Sequence, residues 1–226
     1  MDISTLEWDS AFFDYSVGKI LIKPEDILNK DFLYQSVHKL IYIFSDNLLT
    51  TEQINNLPIA LVDTKIMLRK VANKDISIPD EIIRLTRLSD ELLYLTYQSG
   101  HFSRFKLDSN FIHNEFERMY SSWISKSINT SEESVFGYII NNKLAGFISV
   151  STHNQDASIG LIAVDEKYRG NNIGKHLLTM ADVYSKKNKL KNITVNTQES
   201  NDGAMRFYLS NGFSVLNKTY IYHLWK

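Results

Sequence analysis

At 226 residues, with 43% hydrophobic and 23% charged side chains, the chain has the make-up of a soluble globular protein able to bury a core as one large domain or two small ones. Its 25 Lys and Arg against 26 Asp and Glu leave a formal net charge of -1, so no bulk positive field exists to attract nucleic acid or anionic lipid, and any anion must be held by a local site. The absence of cysteine excludes disulfides, thiolate metal sites and a catalytic thiol, and agrees with a reducing cytoplasm.

The opening Met1-Asp-Ile-Ser-Thr-Leu-Glu-Trp-Asp-Ser lacks a basic start followed by an apolar run, so no secretory leader is expected. No stretch approaches the ~20 apolar residues that span a bilayer, so no membrane insertion is expected either. Residues 4–8 and 16–22 read as short strands, the second stopped by Pro24. Phe32, Leu33, Ser36, Val37, Leu40 and Phe44 recur at helical spacing and predict a helix over 32–47. Residues 59–71, rich in β-branched and apolar side chains, read as a strand, after which Pro79 and Asp80-Glu81 mark a break. A boundary between 72 and 88 divides the chain into an N-terminal α/β region, 1–88, and a second unit, 89–226. Ser89-Asp90-Glu91 is a helix start before Leu92, Leu93 and Leu95, and Asp108-Ser109 predicts a second helix carrying Phe111, Glu115, Met119 and Trp123. Val135–Ile140 and Leu144–Val150 flank Asn141-Asn142-Lys143, whose asparagines tolerate positive φ, and so predict an antiparallel hairpin. A strand at Ser158–Val164, a helix at Gly174–Lys187, a strand at Ile193–Thr197, a helix at Asp202–Ser210 and strands at Phe213–Leu216 and Tyr220–Trp225 complete a mixed α/β pattern.

The chemistry concentrates in Gly160-Leu-Ile-Ala-Val-Asp-Glu-Lys-Tyr-Arg-Gly-Asn-Asn-Ile-Gly-Lys, an apolar strand followed by a Gly- and Asn-rich loop opening an amphipathic helix. Successive backbone N–H groups in such a loop point into one hollow, and the helix N-terminus adds partial positive charge, which suits a pyrophosphate. Arg169 and Lys175 supply the remaining charge, and Gly170 and Gly174 keep the backbone approachable.

Arg169-Gly170-Asn171-Asn172-Ile173-Gly174 resembles the acetyl-CoA pyrophosphate loop of the GNAT acetyltransferases, Q/R-x-x-G-x-G/A, with Asn172 where glycine is usual. Asparagine partly replaces glycine there because it accepts left-handed backbone geometry. Downstream, Asn201-Asp-Gly-Ala-Met-Arg-Phe-Tyr-Leu-Ser-Asn-Gly-Phe resembles the same family's N-x-x-A-x-x-F-Y-x-x-x-G-F, and the surrounding elements match its topology from about Leu95 onward. The resemblance implies a GNAT acyltransferase fold with a smaller additional N-terminal α/β region. It further implies that the strand holding Leu161, Ile162, Ala163 and Val164 splays from its neighbour and pairs with the pantetheine arm. Arg169 through Lys175, that is Arg169, Gly170, Asn171, Asn172, Ile173, Gly174 and Lys175, would then hold the pyrophosphate, with Asn201 and Phe207 also against the cofactor.

Acetyl transfer needs a neutral amine, oxyanion donors and an acid for the departing thiolate. By position in the motif the acid is Tyr208, protonated at neutral pH with a phenol reference pKa near ~10. Glu199, just past a strand end, is a candidate base beside proton loss through water. Leu6-Glu-Trp-Asp-Ser-Ala-Phe-Phe, Ser99-Gly-His-Phe-Ser-Arg-Phe-Lys-Leu-Asp and Tyr220-Ile-Tyr-His-Leu-Trp are similar to the matching parts of bacterial TDP-fucosamine acetyltransferases, which acetylate the 4-amino group of a dTDP-linked dideoxy sugar. This resemblance implies a dTDP-amino sugar as acceptor, with residues 1–88 helping to shape its site. His101, Ser103, Arg104 and Phe105 offer the cations, hydroxyl and aromatic faces that such an acceptor needs. A homodimer is one assembly compatible with this reading.

The six histidines show no metal-ligand spacing, no serine nucleophile elbow is present, and the basic residues do not cluster with aromatics as in nucleic-acid modules, so neither metal nor nucleic acid is expected. The other readings left open are a GNAT enzyme acting on another small amine or a protein N-terminus, and a noncatalytic module that binds acyl-CoA.

Overall fold

The structure, a computed structural model, describes residues 2–73 and 77–226. After a two-residue strand β1 (Ser4–Thr5), helix α1 (Glu7–Phe13) carries Glu7 and Asp9 in its first turn, where acidic side chains favour a helix N-terminus. The strand expected over 4–8 is thus cut short. Trp8 stacks on Phe12 one turn later, ring centroids 5.1 Å apart, a contact that only the helix brings together. Strand β2 (Val17–Ile22) follows as expected.

The helix expected over 32–47 is corrected. Asn29 caps α2 (Lys30–Gln35) by accepting from the Phe32 N–H at 2.9 Å, but Ser36 turns extended and residues 40–45 form strand β3 (Leu40–Ser45). The run Leu-Ile-Tyr-Ile-Phe is buried on both faces, and in so short an apolar run periodicity does not separate a central strand from a helix. Helix α3 (Thr51–Ile54), closed by a Thr50–Gln53 capping box, leads to β4 (Ala60–Val71). Residues 74–76, part of the boundary expected between 72 and 88, lie outside the described residues.

Strand β5 (Ile82–Leu85) precedes α4 (Asp90–Ser99), whose Ser89 cap the sequence announced. The next helix start is corrected: Asp108 ends a short α5 (Arg104–Leu107), and α6 (Glu115–Asn129) begins only after Asn114. Asp108 is diverted from capping because its carboxylate accepts from His223 and Trp225 of the far C-terminal strand. Strands β6 (Glu133–Ile140) and β7 (Lys143–His153) form the expected hairpin, with Asn141 and Asn142 at φ 49° and 60°. Then come β8 (Asp156–Val164), α7 (Ile173–Lys187), β9 (Asn192–Gln198), α8 (Asp202–Ser210) and β10 (Ser214–Trp225). The two closing strands expected are this one strand, bent by register shifts at Val215/Asn217 and Ile221/Tyr222.

Among the described residues, ten strands share one sheet in the order β1-β2-β3-β10-β4-β9-β8-β7-β6-β5. β10 lies between β3 and β4, so the end of the chain is threaded between strands from its first third. On one face α7 and α8 cover a core of Leu68, Ile148, Ile159, Leu177 and Val195. On the other, α1, α5 and α6 bury an aromatic layer of Phe13, Tyr42, Phe105, Phe116 and Tyr120, and α4 covers Val135, Leu144 and Phe147. No described helix is long and apolar enough to cross a membrane.

Candidate active site

The decisive feature lies between β8 and β9. They pair in parallel only at Ala157↔Ile193, Ser158↔Thr194 and Ile159↔Val195, after which β8 continues along β7 and β9 along β4. Residues 160–164 therefore keep one sheet partner and present their other edge to a gap. Ser149, at a register shift in β7, accepts the Leu161 N–H at 2.9 Å, and the Asp165 N–H reaches the Ala145 carbonyl. Backbone polar groups alternate along a strand, so Leu161 and Ala163 are committed to β7 while those of Ile162 and Val164 face the gap. Their side chains alternate the opposite way: Leu161 and Ala163 pack under α4 and Ile162 and Val164 under α7.

Past the strand, a turn at Glu166–Tyr168 leads into the loop, where Gly170 adopts φ 83° with nothing within 4 Å of where a Cβ would lie. Asn172, at φ 59° and ψ 6°, is the N-cap of α7 and makes no side-chain cap, so the first-turn N–H groups stay unclaimed by the protein. Asn171 instead closes the turn by donating to the Tyr168 carbonyl at 3.1 Å. Arg169 donates from Nε to the Val164 carbonyl at 3.1 Å, which fixes its guanidinium at the mouth of the gap. Gly174 is required less by a ligand than by packing: an added Cβ would lie 3.0 Å from the Phe207 ring of α8.

Helix α8 completes the wall. Asn201 caps it by accepting from the Ala204 N–H at 3.1 Å, leaving its amide N–H groups for the gap. At the other end, the Gly212 N–H meets the Leu209 carbonyl and the Phe213 N–H meets the Tyr208 carbonyl, with Gly212 at φ 84°. This double bond pattern closes the helix with a hydrophobic contact between Phe213 and Tyr208, whose ring centroids lie 5.4 Å apart. The Gly-Phe of the second motif thus buttresses Tyr208. Burial holds the Tyr208 phenol above its ordinary range, with no charged neighbour contributing, so it is protonated at neutral pH and able to donate.

These parts enclose a cleft of about 850 Å³ lined by Ile162, Ala163, Val164, Arg169, Gly170, Asn172, Ile173, Gly174, Lys175, Asn201, Phe207 and Tyr208. Asn171 stays outside its lining, and Leu161 borders the gap from the other face. His101 lines the cleft too, beside Phe102 and Gln98, which the sequence did not single out. The remaining acceptor set goes elsewhere. Ser103 caps α5, and Phe105 is buried among Phe13, Phe111 and Trp123, so neither ring face is free to stack on a base. Arg104 lies over the Tyr42 and Phe105 rings, 4.9 and 4.4 Å from their centroids. Glu199 is half-exposed and accepts from Lys218 Nζ at 2.6 Å. Among the described residues no group of three or more His, Cys, Asp or Glu is placed to hold a metal.

Comparison with known proteins agrees with this geometry. The family described as Acetyltransferase (GNAT) family matches residues 100–213, half of the chain. A curated relative, the spore coat polysaccharide biosynthesis protein SpsD of Bacillus subtilis (strain 168), is 24% identical over 123 residues, covering 54% of this chain and 43% of its own. The chain therefore spans less than half the length of that relative. A functionally unknown conserved protein from Staphylococcus epidermidis ATCC 12228 superposes with a TM-score of 0.62 at 14% identity, over 94% of this chain and 84% of that one. A tandem GNAT protein from the clavulanic acid biosynthesis pathway does so with a TM-score of 0.56 at 13% identity, over 92% and 74%. At these identities the two structures show a shared fold.

Proposed function

The chain belongs to the GNAT family of acetyltransferases, and from that premise we propose that it transfers the acetyl group of acetyl-CoA to the amino group of a nucleotide-activated 4-amino-4,6-dideoxy sugar. The observation that carries the reading is the parting of β8 and β9 beyond Ile159 and Val195, beside an uncapped helix N-terminus and Tyr208. The pyrophosphate of acetyl-CoA docks on the N–H groups at the start of α7, with Arg169 and Lys175 adding charge, and Asn201 and Phe207 flank the cofactor. The pantetheine arm lies along the free edge of β8, paired with Ile162 and Val164. The N–H of Ile162 stands ready for the thioester carbonyl oxygen, where negative charge develops. The amine attacks that carbonyl carbon, the C–S bond breaks, and Tyr208 protonates the departing thiolate.

The sugar acceptor is supported by the segments around Trp8, His101 and Tyr220 and by the spore coat polysaccharide name of the Bacillus relative. Residues 1–88 supply the acceptor side, and work on a nucleotide sugar with acetyl-CoA places the protein in the cytoplasm. The test is thiol release from acetyl-CoA with dTDP-4-amino-4,6-dideoxygalactose and its glucose epimer, with mass detection of the product. An N-acetylated sugar is the expected outcome. Turnover confined to polyamines, aminoglycosides or peptides would move the acceptor to another class of amine, and binding of acetyl-CoA without turnover of any amine would favour a noncatalytic module.

A further inference from the structure

Behind the cleft, on the sheet face covered by α1, α5 and α6, the described residues hold a carboxylate with one oxygen that no hydrogen bond satisfies. Asp63 of β4 is 9% exposed, and its Oδ1 is buried without a hydrogen-bond partner. The next residue ties this position to the parting of the strands: the Glu199 N–H, at the end of β9, donates to the Thr64 carbonyl at 2.8 Å. The groups that face Asp63 are Arg104 from α5, Gln198 from β9, Lys65 from its own strand and Tyr120 from α6. Tyr120 belongs to the aromatic layer that also packs Leu161, so Asp63 and the free end of β8 lie against the same layer.

We infer that Asp63 is the group on which the acceptor's ammonium docks and which takes its proton. The inference rests on the acetyltransferase reading. An ammonium satisfies a carboxylate oxygen that has no donor in the free protein. Glu199 differs, because Lys218 already occupies it in solvent. Among the described residues, neither Lys65 nor Arg104 makes a direct ion pair with Asp63, yet both are close enough to repel a bare polycation. An acceptor that carries negative charge near its amine, as a sugar diphosphate does, neutralises them as it arrives, and this selects an amino sugar nucleotide over a polyamine. Burial pushes the Asp63 carboxyl up to about 6 against the opposing pull of Arg104, Gln198 and Lys65, which leaves it ionised at neutral pH and basic enough to accept a proton.

The step balances as follows. The ammonium passes one proton to Asp63, the neutral amine forms the C–N bond as C–S breaks, and the nitrogen's second proton leaves to water. Tyr208 gives its proton to the thiolate and recovers one from water, and Asp63 then yields its own proton to water. The sum is ammonium plus thioester to amide, free thiol and one released proton.

The experiment compares wild type with Asp63→Asn in kcat/KM for the amine across pH 5 to 9, alongside calorimetric acetyl-CoA affinity. Wild type binds ammonium to a carboxylate, so its acid limb falls near 6. Asp63→Asn must bind neutral amine, so its kcat/KM drops by about 100-fold and its acid limb moves up to the amine's own ionisation, while acetyl-CoA affinity stays unchanged. Asp63→Glu restores the lower limb. An Asp63→Asn protein with wild-type kcat/KM and the same limb overturns the inference, as does a loss of kcat/KM with no movement of the limb. If wild type acetylates a different amine with the Asp63-dependent limb, the sugar reading fails and this inference stands. If the dTDP sugar is acetylated equally by both proteins, the inference alone fails.

Discussion

At the residue scale, the atoms of the candidate site divide by how far along the chain their environment is made. Tyr208 was legible in the sequence because everything that sets it is local: Asn201 caps its helix, Gly212 and Phe213 close it, and the motif spans one helix and its exit. Asp63 was not legible, since its setting comes from strand register against Ile221 and from Arg104 on a distant helix, and no local pattern records either. The same holds for Arg104, Ser103 and Phe105, whose residue types suit a sugar nucleotide but whose packing places two of them in the interior. Because burial alone sets the Tyr208 phenol, replacing it should remove a proton donor and little else. Tyr208→Phe is expected to lower kcat by about 100-fold, leave the dissociation constant for acetyl-CoA unchanged and leave the fold intact. Steady-state kinetics with calorimetry checks this, and a kcat within threefold of wild type would assign the thiolate's proton to water.

At the element scale, the sequence read most reliably where one element carries its own start and stop signals. Ser89, the two hairpin asparagines and the helix of the second motif all fall where expected. It misread residues 32–47, where a buried strand and a short helix share an apolar stretch, and the start of α6, where Asp108 serves a strand far along the chain. The Gly- and Asn-rich loop opening α7 was legible, but the reason for Gly174 was not, because the Phe207 ring that excludes a side chain belongs to another helix. Asn172 tests the loop as an element. Its left-handed backbone sets the direction in which the N–H groups at the start of α7 point. Asn172→Gly keeps that geometry and is expected to change the KM for acetyl-CoA by less than about twofold. Asn172→Val forces a β-branched residue into left-handed space at ~1–2 kcal/mol, which should raise that KM by about tenfold while the KM for the amine stays put. An equal rise in both constants would mean that the loop is not an anion site.

At the scale of the whole molecule, β10 joins the two ends of the chain, pairing with β3 and β4 while its last residues reach across to the loop after α5. Asp108 makes that crossing. One carboxylate oxygen accepts from His223 Nδ1 at 2.5 Å and from Trp225 Nε1 at 2.9 Å, and the other accepts from the Asn110 N–H at 3.0 Å. Burial pushes the Asp108 carboxyl up, but these donors more than offset it and hold the group well below the usual carboxylate range. Burial keeps His223 neutral, so the imidazole donates its Nδ1 hydrogen without carrying charge. A depressed carboxyl contributes stability that is fully present above its unfolded value, near 3.8, and is lost as pH falls through the lower folded value. Asp108→Ala strands two buried donors on β10 and should cost about 2–4 kcal/mol at pH 7. Urea unfolding should show that deficit narrowing below about pH 4, where the unfolded chain takes up a proton that the folded Asp108 still refuses. Because β10, from the second part of the chain, is held between two strands of the first, the loss should appear in one transition, with tryptophan fluorescence and far-ultraviolet circular dichroism moving together. A deficit that stays constant from pH 7 to pH 3 would show that Asp108 acts through packing alone, and two separated transitions would show that the regions before and after residue 88 unfold independently despite sharing a sheet.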